Sequence, residues 1–220
     1  MIVYKLKIKL LSDTTFGRGD GVAGLVDQEV EHDSFGFPYL RGRTLKGLLS
    51  EECDNLIAVL SPHSVRKRWE SVACTLFGKP GSTLETISQM QVGDACLSED
   101  LRQAVAYQLK RLDNKLMRVD ILESLTAIRR QTAIDSTTGV ADETSLRSAR
   151  VVLRELEFTA NLSFEVQPGR CALTLLSVGT LALRRVGSNR NRGLGYIQCQ
   201  LFEPDNKNIT SDFVQDFGAV

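Results

Sequence analysis

Two segments far apart in the chain alternate strictly between apolar and polar residues, and this pattern constrains the fold most strongly. Within residues 2–10 the apolar side of the pattern consists of Ile2, Tyr4, Leu6, Ile8 and Leu10. Within residues 158–166 it consists of Phe158, Ala160, Leu162, Phe164 and Val166. Because successive side chains of a strand point to opposite faces, each segment predicts a half-buried β-strand.

Helical spacing of apolar residues fills much of the remaining chain. One helix is predicted to begin at Thr44, a second to end at Gly78, and a third to begin after Ser98 and run to Leu116. Residues 171–185 suit a fourth helix, and residues 197–201 alternate again as a last strand. This order of strands and helices predicts an α+β, ferredoxin-like (RRM-like) core.

The length of 220 residues suits a single domain spanning 1–220. Three insertions are predicted: a loop at about 12–39, a helical insertion at about 61–125, and a projecting β-hairpin at about 126–153. The hairpin range is poor in core residues and contains the turn signal Ser136-Thr137-Thr138-Gly139. Long ordered loops in compact domains usually carry function, so the site is expected among these insertions.

Composition limits the classes of function that the chain can have. The net charge is zero, which argues against a stand-alone, non-specific polyanion binder. The charge is nevertheless sorted, because residues 181–201 hold four arginines and no acid.

The cysteines indicate a reducing compartment, and the short apolar runs argue against a membrane span. The five cysteines form no CxxC pair, so free thiols are favoured over a zinc site or disulfides. No run approaches the roughly 20 apolar residues that span a bilayer, and the N-terminus has a strand pattern rather than that of a signal peptide. We therefore predict a cytoplasmic protein without a membrane partner.

The loop Gly187-Ser188-Asn189-Arg190-Asn191-Arg192-Gly193-Leu194-Gly195 is the strongest functional signal. Its glycines allow either a tight turn or close approach of the backbone to a phosphate chain. A simple turn does not need the potential donors Ser188, Asn189, Arg190 and Arg192, so RNA binding is favoured. The loop lacks the signatures of a phosphate-binding P-loop and of a dinucleotide site.

Two further groups of residues could take part in RNA chemistry. Arg41, Arg43 and Lys46 surround a predicted helix N-terminus, where an anion is favoured, although a solvated basic turn explains them equally well. The first long loop also contains four aspartates, which are Asp13, Asp20, Asp27 and Asp33. An ionised carboxylate is a poor general base but a good ligand for a divalent cation shared with RNA phosphate.

Four segments together resemble a RAMP-superfamily backbone subunit of a type III CRISPR–Cas effector complex. The first is the glycine-rich stretch 16–21, followed by Gly24-Leu25-Val26-Asp27. The second is Pro38-Tyr39-Leu40-Arg41-Gly42-Arg43-Thr44-Leu45-Lys46-Gly47. The others are Leu76-Phe77-Gly78 with the stretch 134–141, and the glycine loop 187–195.

The resemblance implies a subunit that polymerises along a guide RNA (crRNA) beside other effector subunits and copies of itself. The hairpin would be a thumb that splays nucleotides of the guide–target duplex. Asp27 matches the aspartate that supports cutting of target RNA, as a catalytic residue and ligand of Mg²⁺ or Mn²⁺. The expected RNA-binding residues are Arg18, Arg41, Arg43, Lys46, Arg129, Arg130, Ser188, Asn189, Arg190 and Arg192.

The sequence also departs from the family pattern. Arg41 stands where proline is usual, Arg43 where a small hydroxyl residue is usual, and Ser136 where arginine is usual in the thumb. Asp33 is a rival to Asp27 for the catalytic role. The alternatives are a non-catalytic scaffold subunit and, less favoured, a processing endonuclease for the CRISPR precursor.

Overall fold

The computed structural model describes residues 1–78, 88–111, 116–134, 137–141, 145–190 and 192–217. In chain order, the described elements are β1 (Ile2–Leu10), α1 (Gly42–Ala58), α2 (His63–Phe77), β2 (Met90–Val92), α3 (Glu99–Leu109), α4 (Arg118–Leu125), β3 (Thr126–Gln131), β4 (Arg147–Val152), β5 (Glu157–Phe164), α5 (Arg170–Ala182), β6 (Ile197–Phe202) and a 3-10 helix (Val214–Asp216).

Four strands form the main sheet in the order β2-β5-β1-β6, and every neighbouring pair is antiparallel. β1 is central, and Ile8 lies between Phe158 of β5 and Cys199 of β6. With α1 between β1 and β2, and α5 between β5 and β6, this is the ferredoxin-like order. The predicted α+β, ferredoxin-like core is therefore confirmed.

The apolar side of the sheet packs against a layer formed by α1, α2 and α5. The alternation in β1 is the reason, because its even-numbered residues from Tyr4 to Leu10 are buried while the lysines between them are only partly covered. Trp69 of α2 joins the same core. The five cysteines are free thiols.

β3 and β4 form a separate two-stranded antiparallel sheet, in which Arg129 pairs with Ala149 and Gln131 with Arg147. We call residues 126–152 the thumb hairpin. Near its tip Ile134 forms an isolated bridge with Ala141. Asp135 and Ser136, on which part of the family resemblance rests, lie outside the described residues.

Some predicted boundaries differ from those observed. α1 begins at Gly42 rather than at Thr44, because the Gly42 N–H donates to Oδ1 of Asp94 at 2.7 Å. A side chain at Gly42 would collide with the carbonyl of Val92, so only glycine permits this close approach of helix and strand. The third helix, predicted to run to Leu116, ends at Leu109.

The range 61–125, predicted as a helical insertion, also contains β2, which is an edge strand of the main sheet. Its three residues are too few to show a clear alternation. Within the described residues, no helix is long and apolar enough to cross a membrane.

Candidate functional site

The first loop returns to the thumb hairpin and attaches to the free edge of β4. The N–H of Asp27 donates to the Ser148 carbonyl at 2.9 Å, and the N–H of Arg150 donates to the Gln28 carbonyl at 2.9 Å. Gln28 and Ala149 are thereby joined by an isolated parallel bridge. Backbone hydrogen bonds to the thumb hairpin thus help to fix the position of Asp27.

The Asp27 carboxylate is held by both polar groups of Ser148. The Ser148 N–H donates to Oδ2 at 2.6 Å, and the Ser148 hydroxyl donates to the same oxygen at 3.1 Å. These bonds, chiefly the one from the backbone N–H, lower the pKa of Asp27 below its ordinary value of 3.8, and the nearby Arg147 adds to the effect. Asp27 is exposed, and its lowered pKa keeps the carboxylate ionised at neutral pH.

Asp27 lies in a small pocket between the thumb hairpin and the glycine loop. The hairpin contributes Arg129 and Gln131 of β3 and the consecutive residues 147–149 of β4, and the glycine loop contributes Asn189, Arg192 and Leu194. The cavity volume is about 70 Å³. One water needs roughly 10–15 Å³ by the same measure, so the pocket has room for a group of the size of a phosphate.

Arg129 in this pocket has a fixed orientation. Its Nη2 and Nε donate to Oδ2 of Asp13 at 2.6 and 3.0 Å. The other oxygen of Asp13 accepts the Arg154 N–H at 3.2 Å. Asp13, one of the four loop aspartates, is thus a supporting residue for an arginine of the site.

The glycine loop has the backbone that its sequence requires. Gly187, Gly193 and Gly195 have φ values of 83°, 84° and 75°, and side chains at Gly187 and Gly195 would collide with the carbonyls of Thr15 and Val186. The loop is fixed to the first loop by the Ser188 N–H, which donates to the Thr15 carbonyl at 2.9 Å. The glycines serve the turn, and the polar side chains remain for other roles.

A second pocket of about 250 Å³ adjoins the start of the glycine loop. It brings Ser188 together with Arg41 and Thr44 at the start of α1. Arg41 is partly neutralised here, because its Nη2 lies 2.6 Å from Oε2 of Glu31. Tyr39 donates to Oε1 of Glu31 at 3.0 Å, and burial followed by Glu31 raises the pKa of Tyr39.

Other predicted RNA-binding residues have partners within the chain. Arg18 pairs with Asp20 at 2.6 Å, and Arg190 pairs with Glu51 at 3.2 Å. Lys46 donates to the Ser88 hydroxyl at 2.6 Å and to the Met90 carbonyl at 3.2 Å, and burial lowers its pKa.

Arg43 and Arg130 are exposed, and across the described ranges neither has an ion pair. Arg130 does not line the Asp27 pocket, whereas its neighbour Arg129 does.

Asp33, the rival to Asp27, has a structural role. Its Oδ1 accepts the N–H groups of Phe35 and Phe37 at 2.9 and 3.0 Å, and its Oδ2 accepts Arg102 at 3.1 Å. It shapes the turn before α1 and does not line the pocket of Asp27.

Arg147 and Ser148 are site residues to which the sequence analysis gave no role. Both lie at the start of β4 and line the Asp27 pocket. The one available signal was a cluster of arginines after the thumb turn, which does not reveal the contact with a loop 121 positions earlier in the chain.

A divalent cation at this site would have a single carboxylate ligand from the pocket lining. Among the described residues, no three His, Cys, Asp or Glu side chains form a group that could hold a metal. Asp27 is surrounded by Arg129, Arg147 and Arg192. The donor set therefore fits Mg²⁺ or Mn²⁺ only where phosphate oxygens complete the coordination, as is common for Mg²⁺ sites.

The sequence model of the RAMP superfamily matches residues 7–198. Comparison with the sequences of curated proteins gave no significant match.

Solved structures share the fold at low sequence identity. A chain of the type III-B Cmr-beta cryo-EM structure bound to cognate target RNA is 12% identical, with a TM-score of 0.64 and coverage of 97% of this chain and 99% of the other. A chain of the same assembly in the apo state is 13% identical, with a TM-score of 0.61 and coverage of 90% and 96%. A chain of a type IV-B CRISPR complex is 12% identical, with a TM-score of 0.59 and coverage of 94% and 92%.

Proposed function

The chain belongs to the RAMP superfamily, and we propose that it is a guide-RNA-binding backbone subunit of a type III CRISPR effector complex that cleaves complementary target RNA at Asp27. Its fold matches chains of a type III-B assembly over nearly the full length of both chains, and one of these assemblies is bound to target RNA. The free thiols support the proposal that the protein acts in the cytoplasm, where thiols stay reduced.

One observation carries the catalytic part of the proposal. Asp27 is an exposed, ionised carboxylate in a pocket whose other walls are the thumb hairpin and the arginine-bearing glycine loop. Arginine side chains and loop amides suit the RNA backbone, so a phosphodiester in this pocket would lie beside the carboxylate. A turn-forming aspartate such as Asp33 would have no such surroundings.

The chemistry follows from the ionised state of Asp27. A carboxylate whose pKa is lowered from the ordinary value is a poor proton acceptor, so Asp27 orients the ribose 2′-hydroxyl by accepting its hydrogen bond. The 2′-oxygen forms a bond to phosphorus, the bond from phosphorus to the 5′-oxygen breaks, and the leaving oxygen takes a proton from water while the 2′ proton passes to solvent. The products are a 2′,3′-cyclic phosphate and a 5′-hydroxyl.

Mg²⁺ or Mn²⁺ would be held by Asp27 together with RNA phosphate. When bound, such an ion would supply Lewis-acid stabilisation of phosphate charge. The residues of the chain contribute independently of it, since Ser148 orients the carboxylate and Asp13 orients Arg129.

A scaffold subunit that binds guide RNA without cutting is the second candidate. The cationic lining of the pocket favours RNA binding whether or not Asp27 takes part in chemistry. The two candidates differ in a single measurable property, which is target RNA cleavage.

The test compares assembled complexes that carry wild-type or Asp27→Ala chain, with guide RNA, end-labelled complementary RNA and Mg²⁺. We expect regular cleavage products from the wild type, a loss of at least about 100-fold in rate for Asp27→Ala, and unchanged RNA binding. Asp20→Ala removes an exposed carboxylate of the same loop and is the matched control. Cleavage by Asp27→Ala at the wild-type rate would exclude the catalytic role.

A further inference from the structure

The Asp27 pocket collects three arginines from three different segments. Arg129 comes from β3, Arg147 from β4 and Arg192 from the glycine loop, and Asp27 is the one carboxylate among the residues that line the pocket. Asp13, outside the lining, neutralises Arg129. The remaining excess of positive charge has no partner in the lining, and like charges that converge in this way are stabilised by a bound anion.

Arg147 is distinguished by its position next to Ser148. Arg129 is held by Asp13, whereas the Arg192 guanidinium makes no ion pair with another described residue. For Arg147, no ion pair or side-chain hydrogen bond is found in the part of the chain that the structure describes. Arg147 is exposed at the pocket, and it immediately precedes Ser148 in the chain. Ser148 holds the Asp27 carboxylate.

We propose that the arginines of this pocket bind the scissile phosphodiester of the target RNA, and that Arg147 is a catalytic residue that stabilises charge on its nonbridging oxygens. This inference rests on the proposed function, and it assigns a role to a residue that the family resemblance did not include. Only one oxygen of Asp27 is used to hold its carboxylate in place, because Ser148 donates to Oδ2 alone. Oδ1 takes no hydrogen bond from another described residue. The 2′-hydroxyl is held at Oδ1, and the phosphate lies at Arg147.

The chemistry suits a guanidinium at this place. As the 2′-oxygen bonds to phosphorus, negative charge accumulates on the nonbridging oxygens. Arginine binds such oxygens through two parallel N–H donors, a geometry that a lysine ammonium cannot reproduce. A donor that acts on developing charge lowers the barrier more than it strengthens ground-state binding.

The test measures single-turnover cleavage by the assembled complex at saturating target RNA. We expect Arg147→Ala to lower the rate roughly 10- to 100-fold and Arg147→Lys to recover part of the loss. The matched control is Arg184→Ala, which removes another exposed arginine that lines neither pocket. A phosphorothioate at the scissile phosphate is the second substrate.

Replacement by sulfur of the nonbridging oxygen that Arg147 contacts should slow cleavage by the wild type and have little further effect on cleavage by Arg147→Ala. A merely structural role of Arg147 would not produce this difference. If Asp27→Ala abolishes cleavage but Arg147→Ala does not reduce it, this inference fails and the proposed function stands. If the wild-type complex binds without cutting, the proposed cleavage and the catalytic role of Arg147 both fail. The anion site is then tested by whether Arg147→Ala lowers the salt slope of RNA binding by about 1; an unchanged slope would exclude it.

Discussion

Glu29 and Arg150 form a buried ion pair, with Arg150 Nε 2.8 Å from Oε1 of Glu29, two residues beyond the Asp27–Ser148 contact in both segments. The same glutamate oxygen accepts the Val30 N–H at 2.8 Å, and Arg150 Nη1 donates to the Thr126 hydroxyl at 3.3 Å. The loop that carries Asp27 is thus joined to the thumb hairpin by charge as well as by backbone hydrogen bonds. Loop and hairpin form one positioning unit.

Removal of one member of this pair should destabilise the chain strongly. Arg150→Met leaves the Glu29 carboxylate buried without its partner, and we expect a loss of about 3–5 kcal/mol in the free energy of unfolding. The double variant Glu29→Leu with Arg150→Met should lose less, because no charge remains buried. Urea denaturation of the three proteins measures both effects. A single-variant loss below about 1 kcal/mol would contradict the importance of the pair.

The depressed pKa of Asp27 predicts the pH dependence of its contribution to stability. A carboxyl whose folded pKa lies below the unfolded value stabilises the protein above the unfolded pKa and loses this effect as pH falls through the folded pKa. The difference in melting temperature between wild type and Asp27→Asn should therefore be complete at pH 7 and decline below pH 3.8.

Ser148→Ala tests the cause of this shift. It removes the hydroxyl donor but keeps the backbone N–H, so the pKa of Asp27 should move part of the way back toward 3.8, as followed by NMR titration. An Asp27 pKa at or above 3.8 in the wild type would show that the two Ser148 hydrogen bonds do not form in solution.

The two arginines of the glycine loop should contribute unequally to RNA binding. Arg192 lines the Asp27 pocket, whereas Arg190 is paired with Glu51. Arg192→Ala should lower the slope of binding against salt concentration by about 1, and Arg190→Ala should lower it less. Glu51→Gln supplies the comparison, since it removes the partner that competes for Arg190. Equal effects of the two alanine variants would argue against a special place for Arg192.

Arg43 and Lys46, which belong to one predicted basic site, should have different roles. Arg43 is exposed, so Arg43→Glu should weaken assembly on guide RNA. Lys46 is engaged by Ser88 and Met90, so Lys46→Met should instead lower the free energy of unfolding by about 1–2 kcal/mol. Filter binding and thermal melting distinguish the two outcomes, and a larger binding defect for Lys46→Met would reverse the assignment.

Gly195 and Gly193 offer a matched test of the loop backbone. Both have positive φ, but a side chain at Gly195 would also collide with the Val186 carbonyl, while the space around Gly193 is open. Gly193→Ala should cost about 1 kcal/mol of stability and Gly195→Ala clearly more. Equal melting temperatures of the two variants would show that the loop relaxes without cost.

Much of the fold was predictable because its signals are local. The alternation around Tyr4 and Phe158 follows from the geometry of single strands, and the glycines at 187 and 195 correspond to a positive φ that other residues rarely adopt. The start of α1 was not predictable in this way. Its cap is Asp94, which lies 52 positions away, rather than the local hydroxyl of Thr44.

The sequence by itself determined the ferredoxin-like core and the glycine loop, and the resemblance to the family singled out Asp27 among the aspartates of the first loop. Only the tertiary structure decided what surrounds that carboxylate, because Ser148 lies 121 positions later in the chain and no local pattern encodes such a contact. The same holds for the cations, some of which became partners of acids such as Glu51 and Asp13 while Arg147 remained exposed at the pocket. Burial and pairing depend on which segments meet, and that is a property of the folded chain.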